Sequence, residues 1–218
     1  GDIDTLVEAG LIEYTGDITA SYSDGSWGFC VTTPGSLTIK NFDKLTMLCI
    51  NWGNWDYNGP LPKDLIYLTL DNIKWSYSGP LPTNLTDLYM YGNNINWNYS
   101  GPLPTNLTDL FMYGSNINWN YSGPLPTNLT YLNMDGNSIN WNYSGPLPTN
   151  LTTLYMDGNN INWTDVTFNI GNGNITMFYL RNFRINKMTD EEFILLLTKL
   201  TEREGALPNN IYLGDYEN

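Results

Sequence analysis

The tetrapeptide Gly-Pro-Leu-Pro recurs along this chain and limits its fold more than any other feature. It begins at Gly59, Gly79, Gly101, Gly123 and Gly145, in steps of 20, 22, 22 and 22 residues. A repeat of this period is typical of a solenoid, in which each coil buries its apolar face only against neighbouring coils. The two prolines exclude helix and favour an extended, polyproline-like path. The sequence therefore predicts a stack of coils.

The apolar residues of each repeat predict where its strand lies. In the copy that runs from residue 81 to 102, Leu85, Leu88 and Met90 keep the spacing LxxLxL, and Ile95 follows. Leu88 and Met90 alternate with polar residues, so a short strand would point both of them inward. Coils stacked about 4.8 Å apart would pair such strands into a parallel sheet.

This pattern resembles the leucine-rich-repeat superfamily. The order Leu-Pro-x-x-Leu-x-x-Leu is most similar to the short bacterial class, lengthened here by an aromatic insertion. The resemblance covers residues 45–186 and implies a leucine-rich-repeat solenoid of the α/β class with few helices. It implies a curved parallel β-sheet on the concave face and an irregular or polyproline-like convex side. It also implies recognition of a protein or a glycan.

The two ends of the chain are predicted to cap the repeats, since open strand edges would otherwise aggregate. Residues 1–44 form the predicted N-terminal cap, with a helix at 4–9 and strands at 18–22 and 36–40. Residues 187–218 form the predicted C-terminal cap. There a capping box at Thr189 begins a helix, and a final strand follows at 211–213.

Tryptophan and tyrosine recur in step behind the inward isoleucine of each coil. The tryptophans are Trp75, Trp97, Trp119, Trp141 and Trp163, and the tyrosines are Tyr77, Tyr99, Tyr121 and Tyr143. Alternation with the buried isoleucine predicts a stacked tryptophan column inside the solenoid. The tyrosines would form a second, half-buried column. The alternative for the tryptophans is that they form an exposed aromatic ladder that binds sugars.

Side chains that alternate with the inward Leu and Met should face the groove in three columns. The first is Met47, Tyr67, Asp87, Asp109, Tyr131, Thr153 and Met177; the second is Cys49, Thr69, Tyr89, Phe111, Asn133, Tyr155 and Tyr179; the third is Asn51, Asp71, Tyr91, Tyr113, Asp135, Asp157 and Arg181. These positions differ between coils while the framework is repeated. Tyrosine is typical of binding patches because it offers a large, rigid area with a polar tip. The predicted ligand-binding residues are Tyr67, Asp87, Tyr89, Tyr91, Asp109, Phe111, Tyr113, Tyr131, Asp135, Tyr155 and Asp157.

The aspartates of this face leave two other interpretations open. Asp87 and Asp109 would be neighbours across strands, as would Asp135 and Asp157, and paired carboxylates could serve a polysaccharide-active enzyme. They could also bridge calcium. An open sheet without a deep cleft favours recognition without catalysis, so no catalytic residue, resident metal or cofactor is predicted. A purely structural spacer in a larger surface protein is the remaining alternative.

Charge and composition narrow the class of partner. The chain has 9 basic and 22 acidic residues, a net charge of −13, and no histidine. Phosphates of nucleic acids and anionic lipids would be repelled, and no apolar run approaches the roughly 18 residues of a membrane span. The predicted partner is a protein or a glycan, bound by a monomer or by part of a longer chain.

The source and the state of the cysteines are inferred from weaker signals. Nine Asn-x-Ser/Thr sequons occupy mostly framework positions, where glycans would crowd one another. This indicates a bacterial or phage-associated surface or extracellular protein that does not pass through a eukaryotic secretory pathway. Cys30 and Cys49 could form one disulfide or remain two thiols.

Overall fold

A computed structural model shows a parallel β-solenoid with very few helices. It describes residues 3–16, 18–23, 26–31, 35–40, 45–51, 55–57, 61–92, 95–113, 117–134, 140–141, 147–155, 177–179, 190–191, 194, 198 and 210–212.

The elements follow one another in the order helix, N-terminal strands, then two strands for each coil. The helix is α1 (Ile3–Glu8), and the first strands are β1 (Ile12–Thr15), β2 (Ile18–Ser23), β3 (Ser26–Val31), β4 (Gly35–Ile39), β5 (Met47–Asn51) and β6 (Trp55–Tyr57). The coils continue with β7 (Tyr67–Asp71), β8 (Lys74–Tyr77), β9 (Asp87–Tyr91), β10 (Ile95–Tyr99), β11 (Asp109–Tyr113), β12 (Asn118–Tyr121), β13 (Tyr131–Asn133) and β14 (Asn140–Trp141). The last strands are β15 (Thr153–Tyr155), β16 (Met177–Tyr179) and β17 (Asn210–Tyr212).

Two sheets form opposite walls of the solenoid. Among the described residues, sheet 1 has ten strands in the order β17-β16-β15-β13-β11-β9-β7-β5-β3-β2, and sheet 2 has seven in the order β1-β4-β6-β8-β10-β12-β14. Each regular coil gives one strand to each sheet. Neighbouring strands are parallel except for the antiparallel pairs β1–β4 and β2–β3 near the N-terminus.

Sheet 1 follows the sequence repeat, as predicted. Leu88 lies opposite Leu110 and Met90 opposite Met112, 22 residues apart. All four side chains are fully buried, and outward residues alternate with them along β9 and β11. The inward and outward assignment made from the LxxLxL spacing is therefore confirmed for these strands.

Sheet 2 corrects the expectation of an irregular second side. The aromatic segment of each coil is itself a strand, as in Ile95–Tyr99, where Ile95 and Trp97 are buried and Asn96 and Asn98 are exposed. Such alternation of β-branched and aromatic residues with polar ones favours a half-buried strand. The Gly-Pro-Leu-Pro stretches at 79–82, 101–104 and 123–126, which link sheet 2 to the next strand of sheet 1, are neither helix nor strand, as their prolines favour.

The strands of sheet 2 are shifted by two residues relative to the repeat. Trp97 lies opposite Tyr77, 20 residues earlier, whereas the sequence repeat is 22. Ile95 correspondingly lies opposite Trp75. Because the shift is even, the same set of side chains stays inward. The predicted column of tryptophans stacked directly on one another is thus wrong in register, although burial is confirmed for Trp75, Trp97 and Trp119.

The tryptophans also tie successive coils together. Trp75, Trp97 and Trp119 are at most 1% exposed. The indole Nε1–H of Trp97 donates to the carbonyl oxygen of Gly79 at 3.1 Å, and that of Trp119 to Gly101 at 2.9 Å. Among the described residues the buried Nε1–H of Trp75 has no partner. The predicted column also included Trp141 and Trp163, whose side chains lie outside the described part of the chain.

Tyr77, Tyr99 and Tyr121 are half-buried, as predicted, and Tyr143 lies outside the described residues. The ring of Tyr99 stacks on Trp97 with centroids 5.4 Å apart. A Cβ on Gly101 would lie 2.2 Å from the Tyr99 hydroxyl oxygen, so the ring occupies the space that a side chain would need. In the preceding coil the Tyr77 hydroxyl donates to the Pro80 carbonyl at 3.0 Å. The recurring Tyr-Ser-Gly-Pro is explained by this packing.

A threonine ladder fixes the spacing of coils at the start of each sheet 1 strand. The backbone N–H and the hydroxyl of Thr108 both donate to the carbonyl oxygen of Thr86, at 2.8 and 3.1 Å. The N–H of Asp109 donates to the same oxygen at 3.1 Å. Thr130 and Thr152 repeat the arrangement. The framework threonine therefore holds the residue after it in place, and that residue begins the outward face.

The corner after the sheet 1 strand depends on glycine in one coil. Gly92 has φ +102°, a conformation that other residues rarely adopt. A Cβ there would meet the Asn72 side chain and would lie 3.0 Å from the Asn72 Cα. Asn72 itself has φ +53° in the preceding corner, which is two residues shorter. Successive corners therefore stack too closely for a side chain at Gly92.

The ends of the chain extend the two sheets. Helix α1 and strands β2 and β4 match the predicted N-terminal elements to within one residue, whereas β1 and β3 were not predicted. At the other end, residues 190, 191, 194 and 198 are helical, and β17 lies within one residue of the predicted strand at 211–213 and pairs in parallel with β16. Cys49 is a free thiol, and the side chain of Cys30 lies outside the described part of the chain. No helix within the described ranges is long and apolar enough to cross a bilayer.

Candidate functional site: an aromatic and acidic face on sheet 1

The outward side chains of sheet 1 form the three predicted columns. We name the outward positions of β7, β9, β11, β13 and β15 the Tyr/Asp face. The pairing of strands places the first column at Met47, Tyr67, Asp87, Asp109, Tyr131, Thr153 and Met177, and the second at Cys49, Thr69, Tyr89, Phe111, Asn133, Tyr155 and Tyr179. The third contains Asn51, Asp71, Tyr91 and Tyr113.

A continuous group of aromatic rings occupies the centre of this face. Tyr89 contacts Tyr67, with ring centroids 5.7 Å apart, and contacts Phe111 at 6.5 Å. The ring centroid of Phe111 lies 4.4 Å from that of Tyr91 and 6.3 Å from that of Tyr113. Tyr113 is 53% exposed and the other four are half-buried. The rings therefore support one another and still present surface to solvent.

A smaller aromatic pair continues the face on the next coils. The rings of Tyr131 and Tyr155 have centroids 5.9 Å apart. Asn133 lies between Phe111 and Tyr155 in its column, but only 4% of it is exposed. Strand parity alone predicted Asn133 as a groove residue. The structure shows Asn133 to be buried instead of exposed, because a small side chain at an outward position is covered by larger neighbours.

Asp87 and Asp109 form a carboxyl pair beside the rings. They lie opposite each other on β9 and β11, close enough for their side chains to share a hydrogen bond when one carboxyl group is protonated. The Thr86 hydroxyl donates to Asp87 Oδ2 at 2.6 Å. The pKa of Asp109 is raised to about 6, first by partial burial and then by the hydrogen bond with Asp87 and the negative charge of Asp87. A hydrogen bond from Thr130 acts in the opposite direction and lowers the pKa. Near neutral pH this pair is thus a concentrated and partly desolvated negative charge.

The tyrosine hydroxyls next to this pair remain protonated. Burial, and then the charges of Asp109 and Asp87, raise the pKa of Tyr89 to about 12. Burial also raises the pKa of Tyr91, and it raises the pKa of Asp71, which lies opposite Tyr91. No lysine or arginine occupies an outward position of β7, β9, β11 or β13, all of which are described. The face therefore offers aromatic surface, phenol donors and carboxylates, without a cation of its own.

The carboxyl pair gives a testable dependence of stability on pH. The pKa of Asp109 in the folded protein, about 6, exceeds its ordinary value of 3.8. Between these values the folded state binds more protons than the unfolded chain, so the free energy of unfolding should fall as pH rises from about 4 to 6. Because the carboxyl is partly exposed, we expect a fall of only about 1 kcal/mol.

Urea unfolding across this pH range measures that fall. The variant Asp109→Asn keeps the shape of the side chain but cannot titrate, so its profile should be flatter than that of the parent by this amount. Equal slopes for the two proteins would show that Asp109 titrates normally in the folded state.

The structure brings most of the predicted site residues together. Seven share the central patch: Tyr67, Asp87, Tyr89, Tyr91, Asp109, Phe111 and Tyr113. Tyr131 and Tyr155 adjoin it. Asp135 and Asp157, with the pairing and calcium interpretation attached to them, lie outside the described residues. Asp71 was placed in a column but left out of the predicted site, although its register with Tyr91 could have included it.

A metal centre is not evident in the described part of the chain. No group of three or more acidic or cysteine side chains there could hold a metal ion. The Asp87–Asp109 pair provides carboxyl groups from two residues only.

Comparison of the chain with protein-family models, with curated proteins and with solved structures gave no match. The leucine-rich-repeat resemblance accordingly rests on the repeated residues alone.

Proposed function

We propose that this protein is a recognition module that binds a protein or glycan ligand through the Tyr/Asp face. The observation that carries the proposal is the contiguous patch of contacting aromatic rings with a carboxyl pair beside it. Aromatic side chains with partly exposed faces and polar tips are the residues that most often dominate binding energy.

The difference between scaffold and face supports this proposal. The threonine ladder, the tryptophans and the Gly-Pro-Leu-Pro linkers repeat almost unchanged from coil to coil. The outward positions change within the same coils, as in Tyr89, Phe111 and Asn133 of one column. A constant framework with a variable surface is the arrangement that recognition by a repeat protein requires.

The proposal includes the family and the location. Membership of the leucine-rich-repeat superfamily is supported by the LxxLxL spacing and by the in-register strands of sheet 1. Sheet 2 is a departure from the irregular convex side that this membership implies. We further propose a bacterial or phage-associated surface or extracellular location, which is supported by the sequons at repeated framework positions.

A polysaccharide-active enzyme is the second candidate, favoured by the register of Asp87 with Asp109. The double variant Asp109→Asn with Asp135→Asn separates the two functions. An enzyme would lose turnover of a polysaccharide while still binding it, because the amides cannot transfer protons. A recognition module shows no turnover in the parent protein.

An unbiased screen of glycan and protein arrays tests the proposal. We compare the parent with Tyr89→Ala, Phe111→Ala and Tyr113→Ala combined, which removes the centre of the patch. The matched control carries Asn96→Ala, Asn98→Ala and Asn118→Ala, three exposed positions on sheet 2. We expect a ligand that binds the parent and the control but binds the aromatic variant at least about tenfold more weakly. If no ligand distinguishes parent from aromatic variant, the structural-spacer alternative is favoured.

A further inference from the structure

We infer that the ligand of the Tyr/Asp face is a protein segment that presents an arginine side chain, whose guanidinium group stacks on Tyr89 and Phe111 and donates to Asp87 and Asp109. This inference rests on the proposed function and names the chemistry of its ligand. The rings provide the surface on which the ligand stacks, and the carboxylates favour a positive charge beside them.

The four residues form a two-by-two array. On β9, Asp87 and Tyr89 are two residues apart on the same face, a distance of about 7 Å along a strand. On β11, Asp109 and Phe111 repeat this spacing directly alongside. Two rings with centroids 6.5 Å apart therefore lie next to two carboxyl groups. An extended arginine side chain is long enough to lie across both halves.

The chemistry of the array favours arginine over a neutral or acidic group. A guanidinium group is planar, stacks on aromatic faces and donates paired hydrogen bonds to carboxylates. A sugar could stack on the rings, but it would leave the mutual repulsion of Asp87 and Asp109 unrelieved. A phosphate or carboxylate would increase that repulsion. A guanidinium group can donate to both carboxylates and offsets one of their two negative charges, which no basic side chain on the outward positions of β7, β9, β11 or β13 does.

The charge of the whole chain supports the same partner. The net charge of −13 creates a field that attracts cationic segments and speeds their approach. Such a field alone does not select a site. The rings of Tyr89 and Phe111 supply the selectivity, since stacking requires contact with this patch.

The experiment uses a fluorescent peptide of alternating arginine and glycine and an otherwise identical peptide with citrulline, the neutral isostere of arginine. Fluorescence anisotropy at about physiological salt measures both against the whole chain. We expect the parent to bind the arginine peptide at least about tenfold more tightly than the citrulline peptide.

Three double variants locate the binding. Asp87→Asn with Asp109→Asn removes the charge and keeps the shape, and it should weaken arginine binding about tenfold or more. Tyr89→Leu with Phe111→Leu keeps the charge and the apolar cover but removes the aromatic faces, and it should weaken binding several-fold. Glu8→Gln with Glu191→Gln makes the same change of net charge at exposed positions that are not part of the Tyr/Asp face, and it should leave binding unchanged.

Each other outcome overturns the inference. If the Glu8 and Glu191 control weakens binding as much as the Asp87 and Asp109 variant, only net charge attracts the peptide. If the leucine variant binds like the parent, the rings take no part. If the array screen yields a neutral ligand that needs the rings but not Asp87 and Asp109, the proposed function stands and the arginine inference fails. If neither the screen nor the peptide shows binding to the face, both fail.

Discussion

Replacing Trp97 with alanine is expected to lower the free energy of unfolding by about 3–5 kcal/mol, the usual cost of removing a large buried ring. Trp97 is completely buried, stacks on Tyr99 and donates to the Gly79 carbonyl of the preceding coil. Its loss would leave a cavity, an unpaired carbonyl and an unsupported tyrosine. Urea unfolding followed by far-ultraviolet circular dichroism measures the change.

Two control variants on the same strand separate burial from hydrogen bonding. Asn98 follows Trp97 on the same strand and its side chain is exposed. Asn98→Ala should therefore change the free energy of unfolding by at most about 0.5 kcal/mol. Trp97→Phe retains a ring but no donor for Gly79, so its cost should fall between those of the other two variants. A loss below about 1 kcal/mol for Trp97→Ala would mean that this ring is not part of the core.

Replacing Gly101 with alanine is expected to cost about 1–3 kcal/mol, although only one methyl group is added. The new Cβ would lie 2.2 Å from the hydroxyl oxygen and 2.4 Å from Cζ of Tyr99. The ring must then leave its position on Trp97, or the backbone of the linker must move. Urea unfolding of the single variant measures this cost.

A double-mutant cycle with Tyr99→Ala tests the cause. Once the ring is absent, the alanine at position 101 meets no obstruction and restricts the unfolded chain more than glycine does. We expect Gly101→Ala to be neutral or stabilising by up to about 1 kcal/mol in that background. Equal costs in both backgrounds would show that the glycine is required for its own backbone conformation and not for the ring.

The sequence predicts sheet 1 and its outward face well because one rule governs both. In a strand the side-chain period is two residues, so fixing Leu88 and Met90 inward also fixes Asp87, Tyr89 and Tyr91 outward. The repeat of 22 residues then aligns these positions between coils. The pairs β9–β11, β11–β13 and β13–β15 have this step, whereas the shorter coils before them pair residues 20 apart.

The same rule applied to Ile95–Tyr99 would have predicted sheet 2. This segment alternates as clearly as the first strand, but the resemblance to a family with an irregular convex side directed the interpretation towards an insertion. The register shift of two residues in sheet 2 is different in kind. It depends on the path of the backbone through the corners, which no periodic pattern in the sequence encodes.

The proximity of the two carboxyl groups could be predicted from the sequence, but their hydrogen bonds and burial could not. Column membership predicted that Asp87 and Asp109 would be neighbours. The hydrogen bonds from Thr86 and Thr130 depend on side-chain rotamers, and so does the partial burial that raises the pKa of Asp109. The covered position of Asn133 likewise depends on the size of its neighbours in space.

Hydroxyl-radical footprinting with mass spectrometry tests most directly the claim that the coils bury one side of sheet 1 and present the other. Methionine and tryptophan side chains react intrinsically faster with hydroxyl radicals than tyrosine does. If the fold is right, burial of the methionines and tryptophans must make them react more slowly than an exposed tyrosine. We predict rapid oxidation of the exposed Tyr113 and strong protection of Met112, its neighbour on β11, and of Trp97 and Trp119. Oxidation of Met112 and the two tryptophans ahead of Tyr113 in the folded protein would contradict the inside and outside of this solenoid.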